Sequence, residues 1–140
     1  MKISLAESDA DIVGCFPVLA QLRPHLDARE FLPRVRDQMA DNFQLAYLSD
    51  AGAVRSVAGF RVMNLLSSGR TLYVDDLVTD ESSRSRGYGD QLFDWLVHHA
   101  RAAGCAHFSL DSGTQRVDAH RFYLRKRMKI SAFHFALPLK

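Results

Sequence analysis

A strand, a glycine-containing loop and a helix follow one another in the second half of the chain, and this segment restricts the fold more than any other. A strand is predicted over 71–79, a polar loop over 80–86 and an amphipathic helix over 87–103. A further strand is predicted over 107–112. Two strands joined by a helix form a βαβ unit, and its strands are expected to be parallel. The chain therefore needs a sheet that is covered by a helix.

The remaining segments add helices and antiparallel strands to this unit. A helix is predicted from Ser8 or Asp9 to about Leu22, and Pro17 is expected to kink or restart it. The other predicted elements are a strand over 2–5, a helix from about residue 27, strands over 43–48 and 54–66 around a turn at 50–52, a helix over 117–126 and a last strand over 130–139. With 140 residues, the chain is expected to form one domain over 1–140, of the α+β (mixed α/β) class.

Composition excludes several classes of protein. Hydrophobic residues make up 47% and charged residues 24%, which is typical of a soluble globular protein. A net charge of +2 offers no broad basic field for nucleic acid, and no apolar run approaches the roughly 20 residues of a membrane helix. The first residues lack the pattern of a secretory signal. We expect a cytoplasmic protein with free thiols at Cys15 and Cys105, and six histidines without ligand spacing predict no metal.

The loop into the helix over 87–103 has the features of a phosphate site. Backbone N–H groups at a helix start lie at the positive end of the helix dipole. Gly87 and Gly89 let the backbone approach an anion, and Arg84 and Arg86 add planar donors. A P-loop would need Gly-Lys-Ser/Thr, and a dinucleotide fingerprint would need glycine where Leu92 stands.

The segment Arg84-Ser85-Arg86-Gly87-Tyr88-Gly89 resembles the Q/R-x-x-G-x-G/A acyl-CoA motif of the GCN5-related N-acetyltransferases (GNAT). The resemblance extends over 71–127. Residues 73–79 are similar to the family's central strand, and 111–113 with 119–123 are similar to its last strand-to-helix segment. The resemblance implies a GNAT-like fold: a central, mostly antiparallel sheet with a splayed parallel pair, flanked by helices. It also implies a single N-acetyltransferase domain over 1–140 that uses acetyl-CoA as co-substrate.

The resemblance also assigns roles to residues. Those implied in binding acetyl-CoA are Leu77, Val78, Thr79, Arg84, Ser85, Arg86, Gly87, Tyr88, Gly89 and Asp90. The backbone N–H near Val78 is expected to stabilise the developing oxyanion. In the family a tyrosine faces the coenzyme sulfur, and this makes Tyr123 the candidate general acid for the departing thiolate.

Two neighbouring carboxylates are candidates for the general base. Asp75 and Asp76 are adjacent on a strand, so one is expected to point to each face of the sheet. The resemblance places Asp76 near a position where a carboxylate serves as base, with Asp75 the weaker candidate. Asp76 could instead only attract or orient a cationic amine. His107 or His120 could also accept a proton near neutral pH, although a surface or structural role is favoured for His120.

The chain also departs from the family pattern. Arg116 replaces an asparagine that is often found early in the last helix, and Arg127-Met128 stands where Gly-Phe usually follows. A left-handed non-glycine residue costs about 1–2 kcal/mol, so another form of helix end is expected at Arg127. Asp111 and Ser112 end a strand beside the site and could contact the acceptor.

These features predict an N-acetyltransferase that transfers an acetyl group from acetyl-CoA to a primary amine by direct attack in a ternary complex. A small-molecule amine is preferred because four acids over 75–81 would attract a cation. Two alternatives remain open: a CoA-binding regulatory module without turnover, or an acetyltransferase of protein lysines or N-termini. In the last case the basic segment over 114–140 would dock an acidic partner. The sequence leaves a homodimer open.

Overall fold

Five strands form one sheet in the order in which they occur along the chain. In the computed structural model, which describes residues 1–140, they are β1 (Lys2–Leu5), β2 (Phe43–Asp50), β3 (Ala53–Leu65), β4 (Gly69–Thr79) and β5 (His107–Leu110). Strands β1 to β4 are paired antiparallel, and the sheet contains one parallel pair. The predicted α+β class with a mostly antiparallel sheet is confirmed.

Five helices accompany the sheet. They are α1 (Asp9–Gly14), α2 (Phe16–Leu22), α3 (Ala28–Met39), α4 (Tyr88–Ala102) and α5 (Val117–Arg125), with a short 3-10 turn over Glu81–Ser83. Ser8 caps α1 and Asp27 caps α3 through side-chain oxygens that accept backbone N–H groups. The predicted restart at Pro17 is confirmed: α1 ends before Cys15, and proline lies in the first turn of α2, where it needs no hydrogen-bond partner. None of the five helices combines the length and the hydrophobicity that a membrane span needs.

The chain comprises two units, Met1–Ser109 and Leu110–Lys140. In the first unit, α1 to α3 pack on one face of the sheet, where Val57 and Val78 join their core. Phe60 contacts Trp95 and His99 of α4 on the other face. Val57 and Phe60 point to opposite faces because side chains alternate along a strand. The predicted single domain over 1–140 stays a prediction.

A buried cysteine lies at the junction of α1 and α2. The Cys15 side chain is fully buried in the core beneath α1 to α3. Burial, and secondarily the charge of Asp11, raises the pKa of the Cys15 thiol to about 12. The thiol therefore stays protonated at neutral pH. Cys105 is only partly buried, and both cysteines are free.

The second unit ends α5 with a left-handed residue. Arg127 has φ 69°, and its N–H donates to the Leu124 carbonyl at 3.1 Å. The Met128 N–H donates to the Tyr123 carbonyl at 3.1 Å, which completes a Schellman-type helix end. The expectation that the chain would avoid this form at Arg127 is wrong, since two hydrogen bonds to the last turn offset the cost of the left-handed conformation.

The predicted strand over 130–139 does not form. Residues 129–140 have no regular secondary structure. The large apolar side chains among them are 76–91% exposed: Ile130, Phe133, Phe135, Leu137 and Leu139. An alternating pattern sets which side chains share a face, but a strand also needs backbone partners on a neighbouring strand. The prediction of a last strand is therefore wrong.

Candidate active site

The loop between β4 and α4 presents cationic side chains at the start of a helix. Arg84 and Arg86 are exposed, and Gly87 precedes α4 in the left-handed conformation with φ 82°. No side chain caps α4, so its first N–H groups have no acceptor from a cap residue. Ser85 also has a positive φ, of 68°. This arrangement fits an anion, as the sequence predicts.

A glutamine from α2 and a buried serine hold the loop in place. Gln21 Nε2 donates to Asp80 Oδ1 at 2.8 Å, and its Oε1 accepts the Glu81 N–H at 2.9 Å. The hydrogen bond from Gln21, followed by that from Ser82, lowers the pKa of Asp80. The Ser83 side chain is buried and accepts from Arg55 Nη1 at 3.2 Å. The loop conformation is therefore fixed from α2 and β3.

Tyr88 and Gly89 anchor the start of α4 on the sheet. The Tyr88 hydroxyl donates to Asp50 Oδ2 at 2.7 Å, and this hydrogen bond is the main cause of the lowered pKa of Asp50. A Cβ atom at Gly89 would lie 2.8 Å from Thr79 Oγ1. Glycine at 89 therefore lets the helix approach the end of β4, a requirement that the sequence alone does not show. Because the Tyr88 side chain is bound to Asp50, only the backbone of Tyr88 is available to bind an anion.

The end of β4 lies inside the sheet. Leu77, Val78 and Thr79 pair with Ala58, Val57 and Ser56 of β3, respectively. The Ser56 hydroxyl donates to the Val78 carbonyl at 2.9 Å. The predicted contacts of 77–79 with acetyl-CoA and the oxyanion role of the Val78 N–H stay predictions.

A β-bulge brings both candidate bases to one face of the sheet. Gly59 lies opposite Asp76 and Phe60 lies opposite Val74, which leaves Asp75 without a partner on β3. One extra residue on β4 reverses the alternation of side chains at that point. The expectation that Asp75 and Asp76 point to opposite faces is therefore wrong, and both contact groups on the face covered by α1 to α3.

Asp75 is held by an arginine on the neighbouring strand. Arg61 Nε lies 3.1 and 3.0 Å from the two carboxylate oxygens, and Nη2 lies 2.8 Å from Oδ2. The hydrogen bond with Asp75 raises the pKa of Arg61, so the guanidinium stays charged. Arg61 also donates to Gln38 Oε1 at 3.1 Å and lies over the Phe43 ring at 5.3 Å. Both Asp75 oxygens are occupied.

Asp76 is paired with Arg23, the residue that follows α2. Arg23 Nε and Nη2 both lie 2.7 Å from Asp76 Oδ1. Asp76 Oδ2 accepts no hydrogen bond within the chain and faces Gly59, where a Cβ atom would lie 3.4 Å from it. The Asp76 side chain is 16% exposed and that of Arg23 is 47% exposed. The structure therefore leaves one oxygen of Asp76, and none of Asp75, without a hydrogen bond from another side chain.

Two of the four acids in the predicted acidic face are paired with arginines. Arg61 and Arg23 pair with Asp75 and Asp76, and Asp80 accepts hydrogen bonds inside its own loop. Fewer of the four acids over 75–81 are therefore free to attract a plain cation than the sequence predicts. Neither arginine is among the site residues that the sequence predicts. Arg61 carried a signal, since a charge inside an apolar strand needs a partner, whereas Arg23 lies in an exposed connection and carried none.

Tyr123 belongs to the second unit, on α5. Partial burial raises its pKa, while the nearby Arg116 opposes this rise by its charge and by a hydrogen bond to the phenol. The arginine that replaces the family's asparagine thus contacts the candidate acid. His120 Nε2 lies 2.8 Å from the Gly113 carbonyl, which gives the imidazole a structural contact.

The strand end in the second unit contains an unpaired polar group. Ser112 Oγ is buried and has no hydrogen-bond partner. A buried hydroxyl without a partner costs about 1–3 kcal/mol, and a hydrogen bond to a bound molecule would remove this cost. Asp111 lies 3.6 Å from His134 Nδ1. The predicted acceptor contacts of Asp111 and Ser112 stay predictions.

Comparison with known proteins matches the chain to acetyltransferases. A model of the Acetyltransferase (GNAT) family matches residues 6–128. The chain is 36% identical over 126 residues to the uncharacterized N-acetyltransferase YhdJ of Bacillus subtilis (strain 168). The aligned region covers 89% of this chain and 89% of the relative. It is 39% identical over 66 residues to the aminoalkylphosphonate N-acetyltransferase of Salmonella typhimurium, which covers 47% of this chain and 43% of the relative.

A solved structure shows the same fold at low sequence identity. The ribosomal-protein-alanine N-acetyltransferase from Brucella melitensis biovar Abortus 2308 superposes with a TM-score of 0.84. The match covers 99% of this chain and 100% of that one, at 15% sequence identity. This likeness concerns the fold alone, and it agrees with the GNAT-like architecture that the sequence predicts.

Proposed function

The chain belongs to the GNAT family of acetyltransferases and is an acyl-CoA-dependent N-acetyltransferase, and from this premise we propose that its acceptor is the primary amine of a small molecule. We further propose that the amine attacks directly in a ternary complex with acetyl-CoA. The aminoalkylphosphonate N-acetyltransferase, whose name specifies a small amine, supports this choice of acceptor.

The start of α4 is the observation that carries the proposed binding of acetyl-CoA. Left-handed Gly87, an uncapped helix start and exposed Arg84 and Arg86 suit the diphosphate of coenzyme A. When bound, acetyl-CoA supplies an acetyl group that is activated as a thioester. The backbone of 84–90 would hold the diphosphate, and residues 77–79 of β4 would align the acyl arm.

Asp76 is the proposed general base. An ammonium must lose a proton before it attacks, and Asp76 Oδ2 is the carboxylate oxygen in the pair that no side chain occupies. The bulge at Asp75 turns this oxygen toward the face under α1 to α3. Asp75 instead pairs with Arg61, and the two opposite charges offset each other.

Tyr123 is the proposed general acid. Its phenol would give a proton to the departing thiolate, and the raised pKa keeps that proton in place at neutral pH. Arg116 would stabilise the phenolate that remains until the proton is replaced. This role rests on the resemblance of 119–123 to the family and on the contacts of Tyr123 within its own unit.

The proposal is tested by thiol release from acetyl-CoA over a panel of small amines and of peptides with free lysines or N-termini. We expect turnover with small amines. The double variant Arg84→Gln/Arg86→Gln should raise the KM for acetyl-CoA by about tenfold or more, since a hydrogen bond to a charged group contributes about 1.5–3 kcal/mol. Arg101→Gln, at the exposed last turn of α4, is the matched control.

Two results would contradict the proposal. Turnover confined to peptides would make the chain a protein acetyltransferase, and binding of acetyl-CoA without any turnover would make it a regulatory CoA-binding module. An unchanged KM in the double arginine variant would move the diphosphate site away from the start of α4.

A further inference from the structure

We infer that the acceptor carries an anionic group close to its amine, and that Arg23 binds this group. The inference rests on the proposed function, in which the amine approaches Asp76. It names the chemical class of the acceptor: a short amine with a phosphonate, phosphate or carboxylate.

Arg23 is the more exposed member of its ion pair with Asp76. Its guanidinium reaches Asp76 Oδ1 through two nitrogens at 2.7 Å, and Nη2 lies 3.4 Å from the Asp75 carbonyl oxygen. Asp76 is more than four-fifths buried, whereas nearly half of the Arg23 side chain is exposed. An amine that binds Asp76 therefore comes next to Arg23.

Within the two ion pairs the charges are already balanced, and Asp41 attracts Arg61 from outside these pairs. Arg23 and Arg61 contribute two positive charges, and Asp75 and Asp76 contribute two negative charges. A plain ammonium would add a positive charge to these four paired groups and would place a third cation beside Arg23 and Arg61. An amine with one negative charge enters without changing the balance, because its anion offsets its ammonium.

Of the two arginines, only Arg23 can exchange partners easily. Arg61 is fixed by both oxygens of Asp75, by Gln38 and by the face of Phe43. Arg23 has contacts to Asp76 and the Asp75 carbonyl alone, and it stands at the end of α2, where the backbone leaves the helix with φ −121° and ψ 72°. Its guanidinium can turn from Asp76 Oδ1 to a ligand anion, while the ammonium takes its place on the carboxylate.

The guanidinium also matches the proposed anion in shape. Its planar fork donates two parallel hydrogen bonds to a carboxylate or a phosphorus oxyanion, which a lysine ammonium cannot reproduce. After the exchange, both the arginine and the aspartate remain paired. An amine without an anionic group would leave Arg23 unpaired when it displaces Arg23 from Asp76. The enzyme should therefore discriminate against such an amine.

The test uses matched acceptors that differ only in the anion. Aminoethylphosphonate is paired with its diethyl ester, and β-alanine is paired with its amide, so that the phosphorus and carboxylate cases are distinguished. Thiol release gives kcat/KM for the wild type, Arg23→Gln, Arg23→Lys and the control Arg29→Gln. Arg29 is an 89% exposed arginine that pairs with Asp27 at the start of α3.

The result is read from the kcat/KM for the anionic acceptor divided by the kcat/KM for its neutral partner. Intrinsic differences between the two amines cancel when this ratio is compared between variants. We expect the wild type to favour at least one anionic member. Arg23→Gln should lower kcat/KM for that member by roughly 10- to 100-fold and should change its neutral partner by less than about threefold. Arg23→Lys should retain part of the preference, and Arg29→Gln all of it.

Equal losses for both members of each pair in Arg23→Gln, or a wild-type preference for the neutral members, would overturn the inference. Calorimetric binding of the same acceptors in the presence of CoA gives a second readout that needs no turnover. Binding of an anionic member that is lost in Arg23→Gln supports the inference, and binding that is unaffected by the variant overturns it. Failure of the proposed function looks different, since no small amine, anionic or neutral, would then release thiol from the wild-type enzyme.

Discussion

Glycine at position 89 is required by a neighbouring side chain. A Cβ there would lie 2.8 Å from Thr79 Oγ1, so Gly89→Ala should lower the free energy of unfolding by about 1–3 kcal/mol and weaken acetyl-CoA binding at the displaced helix start. Adding Thr79→Ala should restore part of the stability. Urea unfolding and calorimetry measure the two effects. Gly14→Ala is the control, since nothing lies within 4 Å of its Cβ position and it should not destabilise.

Gly87 presents the opposite case, in which space is available but the backbone is left-handed. A Cβ would meet only Gln91 Nε2 at 3.9 Å, yet φ is +82°. Gly87→Ala should therefore cost about 1–2 kcal/mol, and Gly87→Asn less, because asparagine tolerates this conformation better. Equal stability of the two variants in urea unfolding would show that the loop adopts another conformation.

Tyr123→Phe tests the general acid. We expect kcat to fall by about 100-fold while the Kd for acetyl-CoA stays nearly unchanged, since only a proton donor is removed. Because burial raises the pKa of Tyr123, the wild-type rate should not decline from loss of this proton until the pH exceeds the ordinary tyrosine value of about 10. An unaltered rate under conditions where chemistry limits turnover would remove Tyr123 from the mechanism.

The bulge in β4 gives the neighbouring carboxylates of Asp75 and Asp76 different expected roles, a structural one for Asp75 and a catalytic one for Asp76. Asp76→Asn should depress kcat/KM most at low pH, where few amines are neutral, and higher pH should partly restore it. Asp75→Asn should mainly lower the melting temperature, because it leaves the partly buried Arg61 without its anion. A pH–rate profile and a melting curve for each variant separate these effects. If higher pH gives no rescue and only KM rises, Asp76 merely attracts the amine.

Local patterns predict most of the elements, and long-range pairing explains the errors. The caps at Ser8 and Asp27 and the proline restart follow from rules that act within a few residues. The bulge at Asp75 depends on how β3 and β4 align, and alternation within one strand cannot show it. The segment over 130–139 has the alternating pattern of a strand, but no neighbouring strand pairs with it. The arginines that hold the candidate bases come from 14 and 53 residues away along the chain.

At the scale of the whole molecule, the exposed segment over 130–140 should contribute little to stability. Its large apolar side chains are 76–91% exposed, so removing 130–140 should leave the melting temperature nearly unchanged. The shortened chain should also bind less of a fluorescent hydrophobic dye, since these side chains form much of the exposed apolar surface. A clear drop in melting temperature would show that the segment packs in solution.

The burial of Cys15 has a practical consequence for any assay that detects coenzyme release with a thiol-reactive dye. A protonated, fully buried thiol does not react with such a reagent, whereas the partly buried Cys105 is more accessible. The native enzyme should therefore contribute a baseline of at most one equivalent per chain, and this baseline should rise to two when denaturant opens the junction of α1 and α2. The number of reactive thiols per chain therefore measures the folded fraction with the same dye that detects turnover.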